Sequence, residues 1–392
     1  MTTTQKFITR NIWILSLVSL FSDVAGEMLY PVMPLYLKSI GFSIVFIGIL
    51  EGLAEATAGL SKGYFGNWSD NIGRRLPFVQ IGYGLSTLAK PLMAIFVMPI
   101  WVFFIRTLDR LGKGIRTGAR DALLSDETTP EFKGRVFGFH RGMDTFGAVL
   151  GPSLALLYLY FYPQQYRSLF LWAFIPGIIA FGFTFFIKEK TKVATPKAKP
   201  GLLDFIKYWQ KSPTKYRQLV GALLVFTLFN SSDIFLILKI KESGINDSLA
   251  IGIYIFYNFI YALAAYPMGV WADKWGMKRV YIGGLLIFAM VYAGMAYANS
   301  AMLFFALFFL YGIYAAATEG VAKAWISNLT DAQNTATAIG TYTAFQSVLT
   351  LVASTLAGVI WMAFGASATF LLTGVITLAV VIYLHFFLKD KT

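Results

Sequence analysis

Long apolar runs recur along the whole of this chain, and each has the length that crosses a lipid bilayer. A span needs about 20 mostly apolar residues, and about twelve runs meet that standard. Their approximate limits are 12–38, 44–64, 76–97, 100–120, 136–161, 168–187, 218–239, 249–268, 279–298, 301–323, 337–361 and 365–388. No water is present in hydrocarbon to pair the backbone, so such a run folds as a helix that satisfies its own N–H and C=O groups. The chain is 57% hydrophobic and only 14% charged, whereas a soluble domain carries about 25% charge. The expected fold class is an all-α membrane protein. The first run contains Asp23 and Glu27 and is too long for a signal peptide, so it is read as the first helix.

A short polar turn between the second and third runs reads Gly66-Asn-Trp-Ser-Asp70-Asn-Ile-Gly73-Arg74-Arg75. A near copy follows the second run of the later half as Gly269-Val-Trp-Ala-Asp273-Lys274-Trp-Gly276-Met-Lys278-Arg279. A shared motif at a shared place marks a duplicated unit. The expected organisation is an N-terminal six-helix half, 1–187, a basic linker, 188–217, and a C-terminal six-helix half, 218–392. The linker holds Lys188, Lys190, Lys192, Lys197, Lys199, Lys207, Lys211, Lys215 and Arg217 against Glu189 and Asp204, and Pro196 and Pro200 break its first part. Residues 201–210 are expected to form a short amphipathic helix on the membrane surface.

Basic residues concentrate in alternate loops. Counted from a cytoplasmic N-terminus, the inner segments hold Lys6, Arg10, Arg74, Arg75, Lys133, Arg135, the linker bases, Lys274, Lys278, Arg279, Lys389 and Lys391. The outer loops hold only Lys38, Arg167, Lys239 and Lys241. Both termini are therefore placed in the cytoplasm. The net charge of +13 is explained by this orientation and by attraction to anionic lipid, and nucleic acid is not an expected partner. The chain has no cysteine, which excludes disulfides and thiolate metal sites.

Charges inside the runs are the most informative feature. One at the centre of a span costs about 2.5–3.5 kcal/mol, and the cluster together roughly 25–30 kcal/mol before pairing. Residues four apart share a helix face. Asp23 and Glu27 share one face, as do Glu51 and Glu55, and Arg106, Arg110 and Lys113 form a cationic stripe. His140, Arg141 and Asp144 lie in the fifth span; Asp233, Glu319 and Lys323 are the main charges of the later half. Such faces belong in an interior polar cavity, where acids of spans 1 and 2 pair with bases of spans 4 and 5. Asp23, Glu27, Glu51, Glu55 and Asp144 are the candidate proton carriers, because two partly desolvated carboxylates on one face favour proton uptake. The alternative is a purely structural ion-pair network.

At the repeated turn the chain resembles the major facilitator superfamily, and the resemblance covers essentially the whole chain. The first copy matches the family's loop pattern at Gly66, Asp70, Gly73, Arg74 and Arg75 and departs from it at Asn71; the second matches at Gly269, Asp273, Gly276 and Lys278 and restores the base as Lys274. Gly147-Ala-Val-Leu-Gly151-Pro152 resembles part of the glycine-proline motif of proton-coupled exporters. There Gly147 and Gly151 permit close helix approach, and Pro152 permits bending. Arg106-Thr-Leu-Asp109-Arg110-Leu-Gly112-Lys113-Gly114 resembles the family's span-4 arginine motif loosely, with Arg116 departing from it. With Phe139-His140-Arg141 it is similar to a widespread bacterial subgroup, which implies the plasma membrane of a bacterium.

The resemblance implies twelve helices in two pseudo-symmetric bundles that rock about a midplane site. It gives Asp70, Arg74, Asp273 and Lys278 a role in latches at the inner side. Substrate contacts are expected from Arg106, Arg110, Arg141, Asn230, Asp233, Tyr257, Asn258, Tyr261, Tyr311, Tyr314 and Gln346, whose hydrogen-bonding groups and ring faces suit a small solute. The expected function is proton-coupled export of a small organic solute by antiport. The alternatives are proton-coupled uptake of an anionic nutrient or metal chelate such as a siderophore, and a non-transporting sensor. No HExxH, GxSxG or paired cysteines occur, so an enzyme is not expected. No cofactor or metal is expected; the proton gradient supplies energy, and the functional form is a monomer.

Overall fold

The computed structural model describes residues 8–30, 32–189, 201 and 203–388, excepting the side chains of residues 34, 35, 44–49, 51, 247 and 248. Among them the regular elements are helices alone. The first half contains α1 Arg10–Glu27, α2 Met33–Ser39, α3 Ile44–Ile72, α4 Leu76–Ile95, α5 Pro99–Asp126, α6 Lys133–Phe161 and α7 Tyr166–Thr184. The linker contributes α8, Asp204–Lys211. The second half contains α9 Thr214–Phe229, α10 Ile234–Glu242, α11 Asp247–Trp275, α12 Met277–Met295, α13 Ala301–Asn328 and α14 Thr335–Phe387.

Helix starts follow local chemistry. The side chains of Thr9, Asn246 and Ser300 accept backbone N–H groups of the first turns of α1, α11 and α13, and proline opens α2, α4 and α5, where its missing N–H costs nothing. By length and apolar character alone, 7 stretches of the described residues qualify as membrane spans, with the 53-residue α14 taken as one. α14 is two helical runs joined at Gly365, whose φ of 83° makes the kink.

Two expected spans are not continuous. The run 12–38 is divided between α1 and α2, and the run 218–239 between α9 and α10. Pro31 stands in the first break; a proline disfavours helical geometry for the residue before it. The second falls on Asn230-Ser-Ser-Asp233, whose short polar side chains compete with the helix for backbone groups.

Packing divides the chain into two compact units. Unit 1 comprises Met1–Thr129, Met143–Lys211 and Asp331–Ala344; unit 2 comprises Pro130–Gly142, Ser212–Thr330 and Phe345–Thr392. Each thus contains one segment from the other half of the sequence. In unit 1, α4 packs on α5 and α7, α3 on α5, and α1 on α7. A buried apolar cluster that includes Met33, Tyr36, Leu50, Met93, Val102 and Phe170 fills one end of it. In unit 2, α13 packs on both α11 and α12.

Candidate functional site

A polar cavity lies within unit 1. It is lined from α1 by Ser22, Asp23, Gly26 and Glu27, from α4 by Ser86, Thr87 and Lys90, and from α5 by Arg106, Asp109, Arg110, Lys113 and Arg116. About 40 Å³ is available to the centres of water molecules, and one water needs roughly 10–15 Å³, so the cavity has room for a few waters. Such a lining needs water and counter-charges, because an isolated buried ion is expensive.

The bases are largely engaged. Lys90 Nζ is 2.8 Å from Asp109 Oδ1, and Arg106 Nη1 is 3.6 Å from Asp109 Oδ2. Arg110 Nε is 3.1 Å from Glu55 Oε1. Arg116 donates to Ser86 Oγ at 2.6 Å and Ser22 Oγ at 3.2 Å, and lies 4.3 Å from the centre of the Tyr83 ring. Deeper, Arg120 binds Asp121 at 2.9 Å and Ser19 at 3.0 Å, with Asp144 at 3.9 Å. Ser19 donates to Asp144. By contrast, Asp23 and Glu27 make no ion pair with any described residue, although both line the cavity. The side chain of Glu51 lies outside the described residues.

Three of these bases were not singled out as site residues from the sequence. Lys90 is one basic residue within the apolar run 76–97, and that isolation was the available signal. Arg116 and Arg120 sit at the end of the run 100–120, where a lysine or arginine commonly reaches the interface. Here both are buried.

The glycine-proline segment of α6 bears directly on the acids of α1. A Cβ at Gly147 would stand 2.9 Å from Asp23 Cβ; one at Gly151 would stand 2.8 Å from Val24 O and Met28 N. The two glycines thus let α6 approach α1 closely along the stretch that carries Asp23 and Glu27.

Unit 2 gathers most of the expected hydrogen-bonding side chains into an aromatic cluster. Tyr311 donates to Asp233 Oδ1 at 2.7 Å, Tyr292 donates to Asn230 Oδ1 at 3.3 Å, and Asn230 donates to Tyr314 Oη at 3.4 Å. The rings of Tyr257 and Tyr311 are 4.9 Å apart, and those of Tyr311 and Tyr314 5.2 Å. Arg141 donates to Tyr261 Oη at 2.6 Å and pairs with Glu319 at 3.3 Å. Two expected contacts differ: Asn258 donates to the Tyr254 carbonyl of its own helix at 3.1 Å, and Gln346 is half-buried with no partner among the described residues. Tyr292 and Phe288, stacked at 4.0 Å, complete the cluster and were not anticipated.

The two polar turns each cap a helix. In unit 1, Asp70 accepts the Thr337 backbone N–H at 2.7 Å and its hydroxyl at 2.9 Å, in the first turn of α14. In unit 2, Asp273 accepts Gly134 N at 2.7 Å, Arg135 N at 3.0 Å and Arg135 Nε at 2.8 Å, in the first turn of α6. A carboxylate there satisfies orphan donors and meets the positive end of the helix. The glycines serve the turns, since Gly73 has φ 70° and Gly276 φ 94°. The basic partners differ from those expected. Arg75, not the exposed Arg74, binds Asp70 at 2.9 Å; it also reaches Asp126, Ala122 O at 3.0 Å and Ala332 O at 2.8 Å. Lys278 instead reaches His385 O at 3.0 Å and Leu388 O at 2.6 Å, satisfying carbonyls at the end of α14, and Arg135 serves Asp273.

The sequence profile described as Major Facilitator Superfamily matches residues 15–256 and 218–392. An uncharacterized MFS-type transporter of Methanocaldococcus jannaschii is 32% identical over 363 residues, covering 91% of this chain and 90% of its own. A multi-drug resistance efflux pump PmrA homolog of Lactococcus lactis is 24% identical over 334 residues, covering 82% and 80%. The crystal structure of the human organic anion transporter MFSD10 superposes with a TM-score of 0.82 at 16% identity, over 96% of this chain and 99% of that one, which shows the fold. Helices, paired polar turns and profile agree: this chain belongs to the major facilitator superfamily and is a membrane transporter, not an enzyme.

Proposed function

We propose that this transporter exports a small organic solute from the cytoplasm in exchange for protons. The halves 1–187 and 218–392 alternate access to the site, both termini are cytoplasmic, and the protein works as a monomer in the plasma membrane. One observation carries the reading: Asp23 and Glu27 line a polar cavity without an ion pair to any described residue, while Asp109 and Glu55 are held by Lys90, Arg106 and Arg110. Carboxylates not committed to a base are the ones that can bind and release protons during a cycle. A solute bearing positive charge competes with the proton for the same oxygens, and competition for one site is the thermodynamic basis of exchange. Relatedness to an efflux pump homologue supports the outward direction.

A second reading rests on Arg106 and Arg110, which line the same cavity. An anionic solute there is helped by protonation of the neighbouring acids, and such cooperation drives symport. Inside-out vesicles separate the two. With an acidic lumen, export predicts accumulation of members of an organic-cation panel including ethidium, abolished when nigericin collapses the gradient. Proton-dependent entry of 5-carboxyfluorescein from an acidic exterior into right-side-out vesicles, with no cation exchange, would establish uptake instead.

A further inference from the structure

The linker helix α8 is not used by the transport cycle proposed above, yet it is built into unit 1. Its Phe205 is only 2% exposed. The ring fills a notch on α3 that exists because residue 63 is glycine; a Cβ there would lie 2.7 Å from the ring. The Phe205 carbonyl accepts the hydroxyl of Thr341 in α14 at 3.2 Å. α8 therefore straps α3 to the early turns of α14, beside the cap between Asp70 and Thr337.

The opposite face of α8 has a different character. Leu203 and Ile206 are 57% and 40% exposed, and the Lys207 side chain is 69% exposed while it pairs with Asp204 of the same turn at 2.6 Å, an exposed ion pair that a headgroup phosphate can replace. Lys211 is also exposed, and Trp209 is half-buried. The next stretch long and apolar enough to span a bilayer begins at Thr214, just beyond α8. An exposed aliphatic pair flanked by lysines, next to the start of a membrane helix, matches an anionic bilayer surface in charge and polarity.

We propose that α8 is a lipid-read strap: anionic headgroups bind Leu203, Ile206, Lys207 and Lys211, hold Phe205 in its notch, and so keep the α3–α14 junction closed. This inference stands apart from the identity of the solute.

The chain has no cysteine, so Thr341→Cys gives a single reporter beneath the strap. Its labelling by a membrane-impermeant maleimide is measured in vesicles of phosphatidylcholine alone and with phosphatidylglycerol added. Labelling is expected to fall about fivefold per lysine engaged when phosphatidylglycerol is present. Lys207→Gln with Lys211→Gln, both at exposed positions, should remove that lipid dependence. Phe205→Ala and Gly63→Ala should raise labelling in both lipids. Equal labelling of the parent in the two lipids overturns the proposal, as does a lipid effect that survives the double lysine variant. Protection conferred in neutral vesicles by soluble polyglutamate, but not by phosphatidylglycerol, would assign the surface to an acidic protein and also overturn it. None of these readouts requires transport, so their failure leaves proton exchange untouched.

Discussion

Asp70→Asn tests whether the polar turn holds α14. Asp70 and Arg75 side chains are 2% and 4% exposed, so the interaction is little weakened by solvent. The carboxylate accepts two hydrogen bonds from Thr337 and one from Arg75. Asparagine preserves shape and one acceptor oxygen but removes the charge. A hydrogen bond to a charged group contributes about 1.5–3 kcal/mol net. Arg75 keeps Asp126 and two carbonyls, so the loss stays below the ~3–5 kcal/mol of an orphaned buried ion. The expected cost is about 2–3 kcal/mol, or about 30–150-fold in opening of the first turn of α14. The Thr337 amide has no intrahelical acceptor at that position, so hydrogen–deuterium exchange of residues 335–338 reads the cap directly. Exchange should accelerate by that factor in Asp70→Asn, strongly in Arg75→Ala, and little in Arg74→Ala. Unchanged exchange at Thr337 in Asp70→Asn, with the fold intact, would falsify the cap argument; a larger effect from Arg74 would contradict the assignment of Arg75.

Glu27→Gln should abolish pH-driven transport and leave the protein folded, since Glu27 lines the cavity and makes no ion pair with any described residue, whereas Glu55→Gln, which takes from Arg110 an exposed partner at 3.1 Å, should leave coupling in place; unchanged coupling in Glu27→Gln would remove Glu27 from proton handling. Lys90→Met strips Asp109 of its nearer partner and should destabilise by about 3 kcal/mol, with Lys90→Met plus Asp109→Leu recovering most of it; a Lys90→Met protein melting like the parent would show that the pair is not buried in effect. Gly151→Ala places a methyl 2.8 Å from α1 backbone atoms and should cost about 1–3 kcal/mol. Gly283→Ala, which meets nothing within 4 Å, is its control, and equal melting of the two variants counts against close α1–α6 packing.

The helical character of the chain was legible in run length, and the two turns in their repeated glycines and aspartates. What spacing within one helix cannot give is the partner on another. The stripe Arg106, Arg110 and Lys113 was readable, but that Asp109 sits between Lys90 and Arg106 depends on how α4 and α5 pack. Arg74 and Arg75 are equivalent in sequence; the backbone turn after Gly73 directs only the second toward Asp70. The breaks at Met28–Val32 and Asn230–Asp233 were hidden because apolar residues continue on both sides and hydropathy averages over them.

Those breaks deepen the duplication. The offset that aligns Asp70 with Asp273 also aligns Thr337 with Gly134, so each aspartate caps the equivalent helix. It aligns Glu27 with Asn230, so both first spans break at one place. Interrupted helices at corresponding positions of two repeats are a recurrent feature of transporter folds. The charges did not follow the geometry. Arg106, Asp109, Arg110 and Lys113 align with Phe309, Gly312, Ile313 and Ala316. Acid and bases differ as a set, which is the pattern energetics permits: replacing a whole buried ion cluster by apolar groups is nearly neutral, whereas removing one member is costly. Among the described residues Asp233 has no ion-pair partner, and it takes a hydrogen bond from Tyr311. Buried charge is therefore concentrated in the first half and rings and hydroxyls in the second, on one repeated backbone plan.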